Sequence, residues 1–373
     1  MQKTNERLEF LDSSRGIAAL IVVIFHINGF ILNNILDQPV KDFILQSKMQ
    51  YLLSIILPGG NAVTYFFVLS GFVLSYSYFK KNAPVGLLSF TIRRIFRIFP
   101  LYIIIVGTAF IFKEGSFPVS VFIKEILIFP GVHKLIPPGW SMSVEISFSF
   151  LVPFFILLLQ KKFNWYIALM FLSIILSRYI SFYFIHFMLG VMLAAGYCST
   201  KINLKMSASK MNLLLVAALL VFSFEPVIKG YSPAVELLEV VLQYAGIKLV
   251  YVYKWAAAIG SAFIIYYILY NEQVKKLLLL RPLVFIGKVS YGIYLVHWIV
   301  IFYIVKRFAS LFIFDQVIFT YLSLYSVVIA LTIGISGILY YTVELPMIRY
   351  GKKIAQRVDS SEIFADLKRR LRR

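Results

Sequence analysis

The chain has 373 residues, of which 60% are hydrophobic and only 14% are charged. Soluble domains usually have about 45–50% apolar and about 25% charged residues, so this composition excludes an ordinary soluble protein and predicts an all-α membrane helix bundle. The formal net charge of +20 does not indicate a nucleic-acid partner, because the lysines and arginines lie mostly in short loops and a tail between apolar segments. The single cysteine, Cys198, excludes an internal disulfide and a cysteine-rich metal site.

Apolar stretches of roughly 20 residues predict about ten transmembrane helices. They lie near residues 11–33, 54–79, 95–113, 140–160, 163–178, 180–198, 211–229, 251–271, 283–306 and 316–342. With the N-terminus in the cytoplasm, an even number of spans returns the C-terminus there, and the loops facing inward then carry most of the lysines and arginines. We therefore expect both termini to be cytoplasmic and residues 1–348 to form one transmembrane domain. The first stretch lacks a small-residue cleavage site and is expected to remain as an anchor.

The first predicted span carries an arginine and a histidine on one face. At 100° per residue, the step from Arg15 to His26 brings the second side chain back to within roughly 20° of the first, about 16 Å further along the helix. An ionisable group at mid-membrane usually lines a protein interior or a water-filled cavity. The spacing therefore predicts a polar path that begins at Arg15, at the cytoplasmic end, and reaches His26.

Three arginines, Arg93, Arg94 and Arg97, lie before Ile98 at the cytoplasmic start of the third predicted span. Such a cluster is typical of the cytoplasmic end of any transmembrane helix. Arg94 and Arg97 are also three residues apart on one helical face, which suits the binding of phosphate groups by charge-assisted hydrogen bonds. The spacing alone leaves both interpretations open, and Arg15 at the same predicted depth favours a phosphate site.

The fourth predicted span begins after Pro137, Pro138 and Gly139, which interrupt the preceding segment. Ser141 and Glu145 follow one turn apart, so a hydroxyl and a carboxylate face the bundle together. Glu145 could be neutralised by an arginine on a neighbouring helix, or it could belong to a functional site, as intramembrane carboxylates often do.

Other polar groups lie near the end of the chain. His297 follows Tyr294 by three residues, an arrangement more typical of an interhelical hydrogen bond than of catalysis when taken alone. Glu344, at the cytoplasmic end of the last predicted span, could pair with the arginines of the same layer. No metal-ligand spacing, phosphate-binding glycine loop or Gly-x-Ser-x-Gly motif is present, so no metal site is predicted and any chemistry must come from groups on several helices.

Residues 349–373 form a basic tail with apolar positions at near-helical spacing, Ile363, Phe364, Leu367 and Leu371, and Ser360 or Ser361 could cap this helix. An amphipathic basic helix of this kind would lie on the anionic lipids of the cytoplasmic leaflet. Docking to a partner protein is the alternative.

Together these segments resemble the acyltransferase 3 family of bacterial multi-span O-acyltransferases. The resemblance rests on Arg15 with His26, on Phe66 to Phe72, on Arg94 with Arg97, on Trp140 to Glu145, on Ser290 to Trp298 and on Glu344 to Pro346. It implies about ten helices in the bacterial cytoplasmic membrane, acyl-coenzyme A (acyl-CoA) as the donor substrate on the cytoplasmic side and no bound cofactor. The acyl group, acetyl by default, is expected to pass to a hydroxyl of a cell-envelope polysaccharide or other glycan.

Within this hypothesis Arg15, Arg94 and Arg97 bind the donor phosphates, and His26 takes the proton of the hydroxyl or accepts the acyl group itself. Glu145 would orient His26 or a serine, Ser141 would accompany it, and Glu344 would help to position the arginines. Ile146 stands where many relatives carry a second carboxylate, which argues against a mechanism with two adjacent acids.

The chain is expected to acylate its acceptor directly or to pass the group to a separate periplasmic or extracellular partner. A non-enzymatic transporter or flippase for a lipid-linked sugar is the alternative from another class, and acylation of a small exported metabolite is a further one.

Overall fold

The computed structural model describes residues 8–34, 51–81, 86–112, 118–128, 131–176, 181–199, 207–244, 246–314 and 316–360. Within these ranges the chain is helical and no β-strand occurs, so the predicted all-α class is confirmed. The helices are α1 (Glu9–Asn34), α2 (Gly59–Lys81), α3 (Leu87–Phe112), α4 (Val119–Ile126), α5 (Trp140–Ser149), α6 (Val152–Lys161), α7 (Phe163–Ile175), α8 (Phe184–Cys198), α9 (Ala208–Phe222), α10 (Phe224–Lys229), α11 (Ser232–Tyr244), α12 (Leu249–Tyr270), α13 (Glu272–Leu278), α14 (Arg281–Ile299), α15 (Val317–Leu339) and α16 (Leu345–Ser360). Short 3₁₀ or π-helical segments occupy Pro137–Gly139, Val300–Ile304, Val305–Phe312 and Tyr340–Glu344.

Six helical segments in the described part of the chain are long and apolar enough to cross a membrane. They are Glu9–Leu32, Tyr51–Lys80, Leu87–Phe112, Leu249–Tyr270, Arg281–Phe312 and Ile318–Ser360. Pro137–Ser149 and Val152–Lys161 form a further candidate with a bend of 40°, and α7, α8 and α9 are shorter apolar helices at other predicted positions. The protein is therefore a multi-pass membrane helix bundle, while the count of ten spans and the cytoplasmic location of both termini stay predictions.

Two of the predicted spans are each divided near a proline. A proline has no N–H group and its ring collides with the carbonyl four residues earlier, so a helix commonly breaks there. Pro153 follows Ser149, the last residue of α5, by four positions, and Pro226 follows Phe222, the last residue of α9, by four. The predictions of one continuous helix over 140–160 and over 211–229 are therefore wrong, since each range contains two helices. The first break ends α5 within the bundle.

Helix α3 begins at Leu87, eight residues before the predicted start of the third span at residue 95. Arg93 and Arg94, which the predicted span leaves out, are therefore part of the helix together with Arg97. Hydropathy places arginines outside a span because it assumes that they face lipid. Here their side chains face a cavity inside the bundle, so the helix continues through them.

Helix α1 packs against α14 and α2, and α2 packs against α8. Glycines allow both of the closest crossings, as small residues often do between membrane helices. A Cβ atom on Gly16 of α1 would lie 2.7 Å from the backbone nitrogen of Gly287 in α14. A Cβ atom on Gly71 or Gly190 would likewise collide with the facing backbone between α2 and α8. These contacts fix α1, α2 and α14 around one interior.

Helix α16 runs without interruption across the predicted boundary at residue 349 and packs against α3. Gly351 lies against the ring of Phe96, whose centroid is 5.5 Å from that of Tyr350. The first part of the predicted surface tail is thus docked on the bundle as far as Ser360. Ser361 and the apolar positions Ile363, Phe364, Leu367 and Leu371 lie outside the described residues.

Candidate active site

A cavity of about 590 Å³ lies between α1, α2, α3, α5, α14 and α16. Its wall carries one carboxylate, that of Glu145, among the residues that the structure describes. Five cationic side chains line it as well: Arg15, Arg93, Arg94, Arg97 and Lys352. Because the cations outnumber the carboxylate five to one, the cavity is suited to a ligand that carries several negative charges.

Arg94 and Glu145 form an ion pair between α3 and α5, and their side chains are only 11% and 12% exposed. Ser70 of α2 donates a hydrogen bond of 2.8 Å to the same carboxylate oxygen. Arg94 also donates to the hydroxyl of Ser149, at 2.5 Å. The pairing of Glu145 with an arginine, one of the two alternatives from the sequence, is therefore present. Glu145 was expected to orient His26 or a serine; its side chain contacts Arg94 and the serine Ser70, and not His26.

Arg15 reaches the cavity from α1 and contacts α14. Its Nε donates to the hydroxyl of Ser290 at 2.9 Å, and its guanidinium lies 3.1 Å from the carboxylate of Asp12, one turn earlier. The hydroxyl of Ser290 in turn donates to the carbonyl of Gly287. These contacts fix the guanidinium at the junction of α1 and α14.

Ser141 and Tyr294 close the cavity on the side of α5 and α14. Their hydroxyl oxygens are 2.7 Å apart, and each hydroxyl is also within hydrogen-bonding distance of the carbonyl of Pro138. Ser141 and Glu145 both line the cavity, as their helical spacing predicts. Ser141 is thus held by Tyr294 and by the irregular segment before α5.

His26 does not line the cavity; it lies next to His297, with ring centroids 5.0 Å apart. The ring of His297 is also 5.9 Å from that of Tyr294, which links the two regions. The Nδ1 atom of His26 is 3.0 Å from the carbonyl of Val22, and a carbonyl only accepts hydrogen bonds. In the neutral ring Nδ1 therefore carries the proton, and Nε2 keeps a lone pair that can accept one.

His297 has the same arrangement. Its Nδ1 donates to the carbonyl of Ile293 at 3.2 Å, and its buried Nε2 has no hydrogen-bond partner among the described residues. From the sequence alone, His297 was expected to make an interhelical hydrogen bond, and the structure places its ring directly beside that of His26. An edge-on contact with Trp298, at 5.6 Å, completes the surroundings of His26 on this side.

Glu344 is buried in the π-helical turn before α16 and does not line the cavity. It interacts electrostatically with Tyr291, which lies close to Arg94 and Arg97 and donates a hydrogen bond of 2.7 Å to the carbonyl of Ile98. Glu344 is therefore near Tyr291, and its part in positioning the arginines stays a prediction.

The segment that leads into α5 is held by the buried carboxylate of Glu125. This carboxylate accepts hydrogen bonds from the backbone N–H groups of Lys134, Leu135 and Ile136, at 3.1, 2.9 and 2.6 Å. His133 of the same segment lies 3.0 Å from the hydroxyl of Ser143, and burial lowers the pKa of His133. These bonds determine where α5 begins and hence where Ser141 and Glu145 lie.

The sequence did not identify Ser70 and Lys352, which line the cavity, or Ser149, which accepts a hydrogen bond from Arg94. Ser149 follows Glu145 by four positions, so helical spacing could have identified it. Ser70 lies within the segment from Phe66 to Phe72, one of those on which the resemblance to the acyltransferase 3 family rests. Lys352 was assigned to the surface tail, and nothing in the sequence indicates that it faces the cavity.

The apolar helices and the cationic cavity define a multi-pass membrane protein with a polar site enclosed between its helices. A family model described as an acyltransferase domain matches residues 8–341. This match covers most of the chain, which therefore belongs to the acyltransferase 3 family of membrane acyltransferases. Searches of curated proteins and of solved structures found no match.

Proposed function

We propose that this membrane acyltransferase moves an acyl group, acetyl by default, from cytoplasmic acyl-CoA to a hydroxyl of a cell-envelope polysaccharide or other glycan. The observation that carries the proposal is the cavity with five cations and one carboxylate, next to a pair of histidines whose Nε2 atoms can accept a proton. Coenzyme A combines several phosphate groups with an uncharged arm that ends in the thioester. A cationic cavity that adjoins a histidine pair suits such a donor.

Donor binding is assigned to Arg15, Arg94 and Arg97, which line one cavity from α1 and α3. Guanidinium groups suit phosphates because their donors are planar and can bind two oxygens at once. The Nε atom of Arg94 is buried and has no acceptor among the described residues. Glu145 is assigned the positioning of Arg94, and Ser141 the positioning of Tyr294 beside the acyl group.

The transfer is assigned to His26. Its Nε2 takes the proton of the acceptor hydroxyl while the hydroxyl oxygen attacks the thioester carbonyl; the C–S bond then breaks and free coenzyme A leaves as the thiol after taking up a proton. A positioned general base contributes about 10² to 10⁴ in rate. In the alternative order Nε2 attacks the carbonyl first, and the acyl-histidine then acylates the hydroxyl.

The test uses the full-length protein in lipid nanodiscs with acetyl-CoA, with and without an extract of envelope polysaccharide. We expect release of free coenzyme A that requires the extract and is lost in His26→Ala, while binding of acetyl-CoA is retained. His186→Gln, which changes a histidine of α8 that does not line the cavity, is the matched control and should keep its turnover. A requirement for a separate extracytoplasmic partner would appear as hydrolysis of acetyl-CoA without transfer to the glycan.

Binding of acetyl-CoA without any cleavage of the thioester would contradict the proposed transfer and support the transporter alternative. Absence of binding would contradict the assignment of the arginines. Transfer to a small metabolite but not to the polysaccharide would keep the reaction and replace the acceptor.

A further inference from the structure

The five cations of the cavity differ in whether a carboxylate neutralises them. Three belong to ion pairs: Arg15 with Asp12, Arg93 with Asp359, and Arg94 with Glu145. Arg97 and Lys352 have no carboxylate within 4.0 Å among the described residues and donate no hydrogen bond there. The two cations without a protein partner are therefore on different helices, α3 and α16, and line the same cavity.

The backbone of α16 determines which of its side chains face this cavity. Ile348, Lys352 and Gln356, at intervals of four residues, line it along one face of the helix. Gly351 and Ala355 are buried on an adjacent face, with Gly351 against Phe96 of α3. Since α16 is docked on α3, Lys352 is held at the cavity by its position on the helix.

The neighbouring Lys353 has the same charge and is also exposed, but it does not line the cavity. It differs from Lys352 by about 100° around the helix axis. Of these two adjacent lysines, only Lys352 lines the cavity. A nonspecific effect of positive charge on ligand binding would be the same for both.

We propose that Lys352 binds a phosphate group of the donor together with Arg97, so that α16 forms one wall of the donor site. The inference rests on the proposed use of acyl-CoA. A guanidinium and an ammonium on facing helices provide a planar pair of donors and a point charge, a combination that suits a phosphate group. Arg15 and Arg94, each paired with a carboxylate, keep their assignment to the other phosphate groups of the donor, and Arg93, paired with Asp359, lines the same cavity. The residues matched to the family end at 341, so this contact lies in a helix beyond the matched region.

The experiment measures binding of acetyl-CoA and its turnover in wild type, Lys352→Ala, Lys352→Arg, Lys353→Ala and Arg97→Ala. We expect Lys352→Ala to weaken binding about tenfold and to raise KM with kcat unchanged, because the phosphate contact is equal in the ground state and the transition state. Lys352→Arg should restore most of the affinity, and Lys353→Ala should match wild type. With S-acetylpantetheine, which carries no phosphate, Lys352→Ala and wild type should turn over equally.

A lipid headgroup is another source of phosphate for the same two cations. The measurements are therefore repeated in dodecyl maltoside micelles, where phospholipid is removed, and in nanodiscs that contain phosphatidylglycerol. The difference between Lys352→Ala and Lys353→Ala should persist in micelles if the donor supplies the phosphate. A difference that appears only in the presence of phosphatidylglycerol would overturn the inference and assign Lys352 to lipid.

Equal weakening in Lys352→Ala and Lys353→Ala would also overturn the inference, because it would show a general effect of charge. Unchanged binding in Lys352→Ala, in a preparation whose wild type binds acetyl-CoA, would refute the role of Lys352 and leave the proposed function intact. Failure of the wild type itself to bind acetyl-CoA would instead refute the proposed donor.

Discussion

Removal of the Glu145 carboxylate is expected to destabilise the protein, because Arg94 would lose its charge partner inside the bundle. The two side chains are 11% and 12% exposed, so the pair is largely withdrawn from solvent. Removing one partner of a buried ion pair costs about 3–5 kcal/mol. Loss of the acceptor of Ser70 adds about 1 kcal/mol. For Glu145→Ala we expect the free energy of unfolding to fall by about 4–6 kcal/mol.

The assay is a denaturant titration in mixed micelles that compares Glu145→Ala with the wild type. Glu272→Ala is the matched control, since Glu272 is 74% exposed and its bond of 2.7 Å to Lys275 lies at the surface. Exposed pairs contribute about 0–1 kcal/mol, so the control should change stability little. If Glu145→Ala costs no more than Glu272→Ala, the pair is effectively solvated and the argument for positioning of Arg94 fails.

A double variant separates stability from function. Replacing a buried ion pair with apolar side chains of similar volume is often neutral or stabilising. Arg94→Met with Glu145→Leu should therefore recover most of the stability lost in Glu145→Ala, while binding of acetyl-CoA stays impaired. Recovery of both stability and binding would show that Arg94 has no part in the donor site.

Further expectations concern the segment before α5, the ion pairs of Glu225 with Lys229 and Lys254, and the second histidine. Glu125→Ala leaves three backbone N–H groups without their acceptor and should lower the free energy of unfolding by several kcal/mol, at about 1–3 kcal/mol for each buried group. A loss of less than about 1 kcal/mol would refute the structural role of this carboxylate. Burial alone raises the pKa of Glu225, but Lys229 and Lys254 outweigh it and hold that pKa below its usual value. The stabilising contribution of ionised Glu225 is thus present above its unfolded pKa of about 4.3 and is lost as pH falls through its folded pKa. Wild type and Glu225→Gln should therefore differ in unfolding free energy at neutral pH and converge in acid. A difference that does not change with pH would contradict the assignment. His297→Gln should lower kcat at least about tenfold with KM for acetyl-CoA unchanged, because His297 lies beside His26 and outside the cavity. A change in KM alone would exclude a role of His297 in the transfer step.

Helical periodicity predicted which residues of one helix share a face. Ser141 with Glu145, and Arg94 with Arg97, were expected together from their spacing, and all four line the cavity. The same rule places Ser149 one turn after Glu145, where it accepts the hydrogen bond of Arg94. Such predictions succeed because the helical repeat is a local property of the backbone.

Contacts between helices could not be predicted in this way. Arg15 and Ser290 are 275 residues apart in the chain and meet only because Gly16 and Gly287 let α1 and α14 approach. Lys352 was missed for a related reason. Hydropathy assigns a basic segment after the last apolar run to the surface, and it contains no information about the docking of Gly351 on α3.

The cations line the cavity and His26 lies outside it, an arrangement that suits the proposed donor. A charged group near the centre of a bilayer is costly, so the phosphates are best held where the cavity supplies cations. Tyr294 lines that cavity and also contacts the ring of His297, which in turn lies against His26. Only the uncharged arm and the acyl group would then have to pass Tyr294 to reach the histidines. A donor with its charge at one end and its reactive bond at the other needs a cationic site that is separate from the histidines. A ligand whose charge lies at the reacting atom would gain nothing from this arrangement.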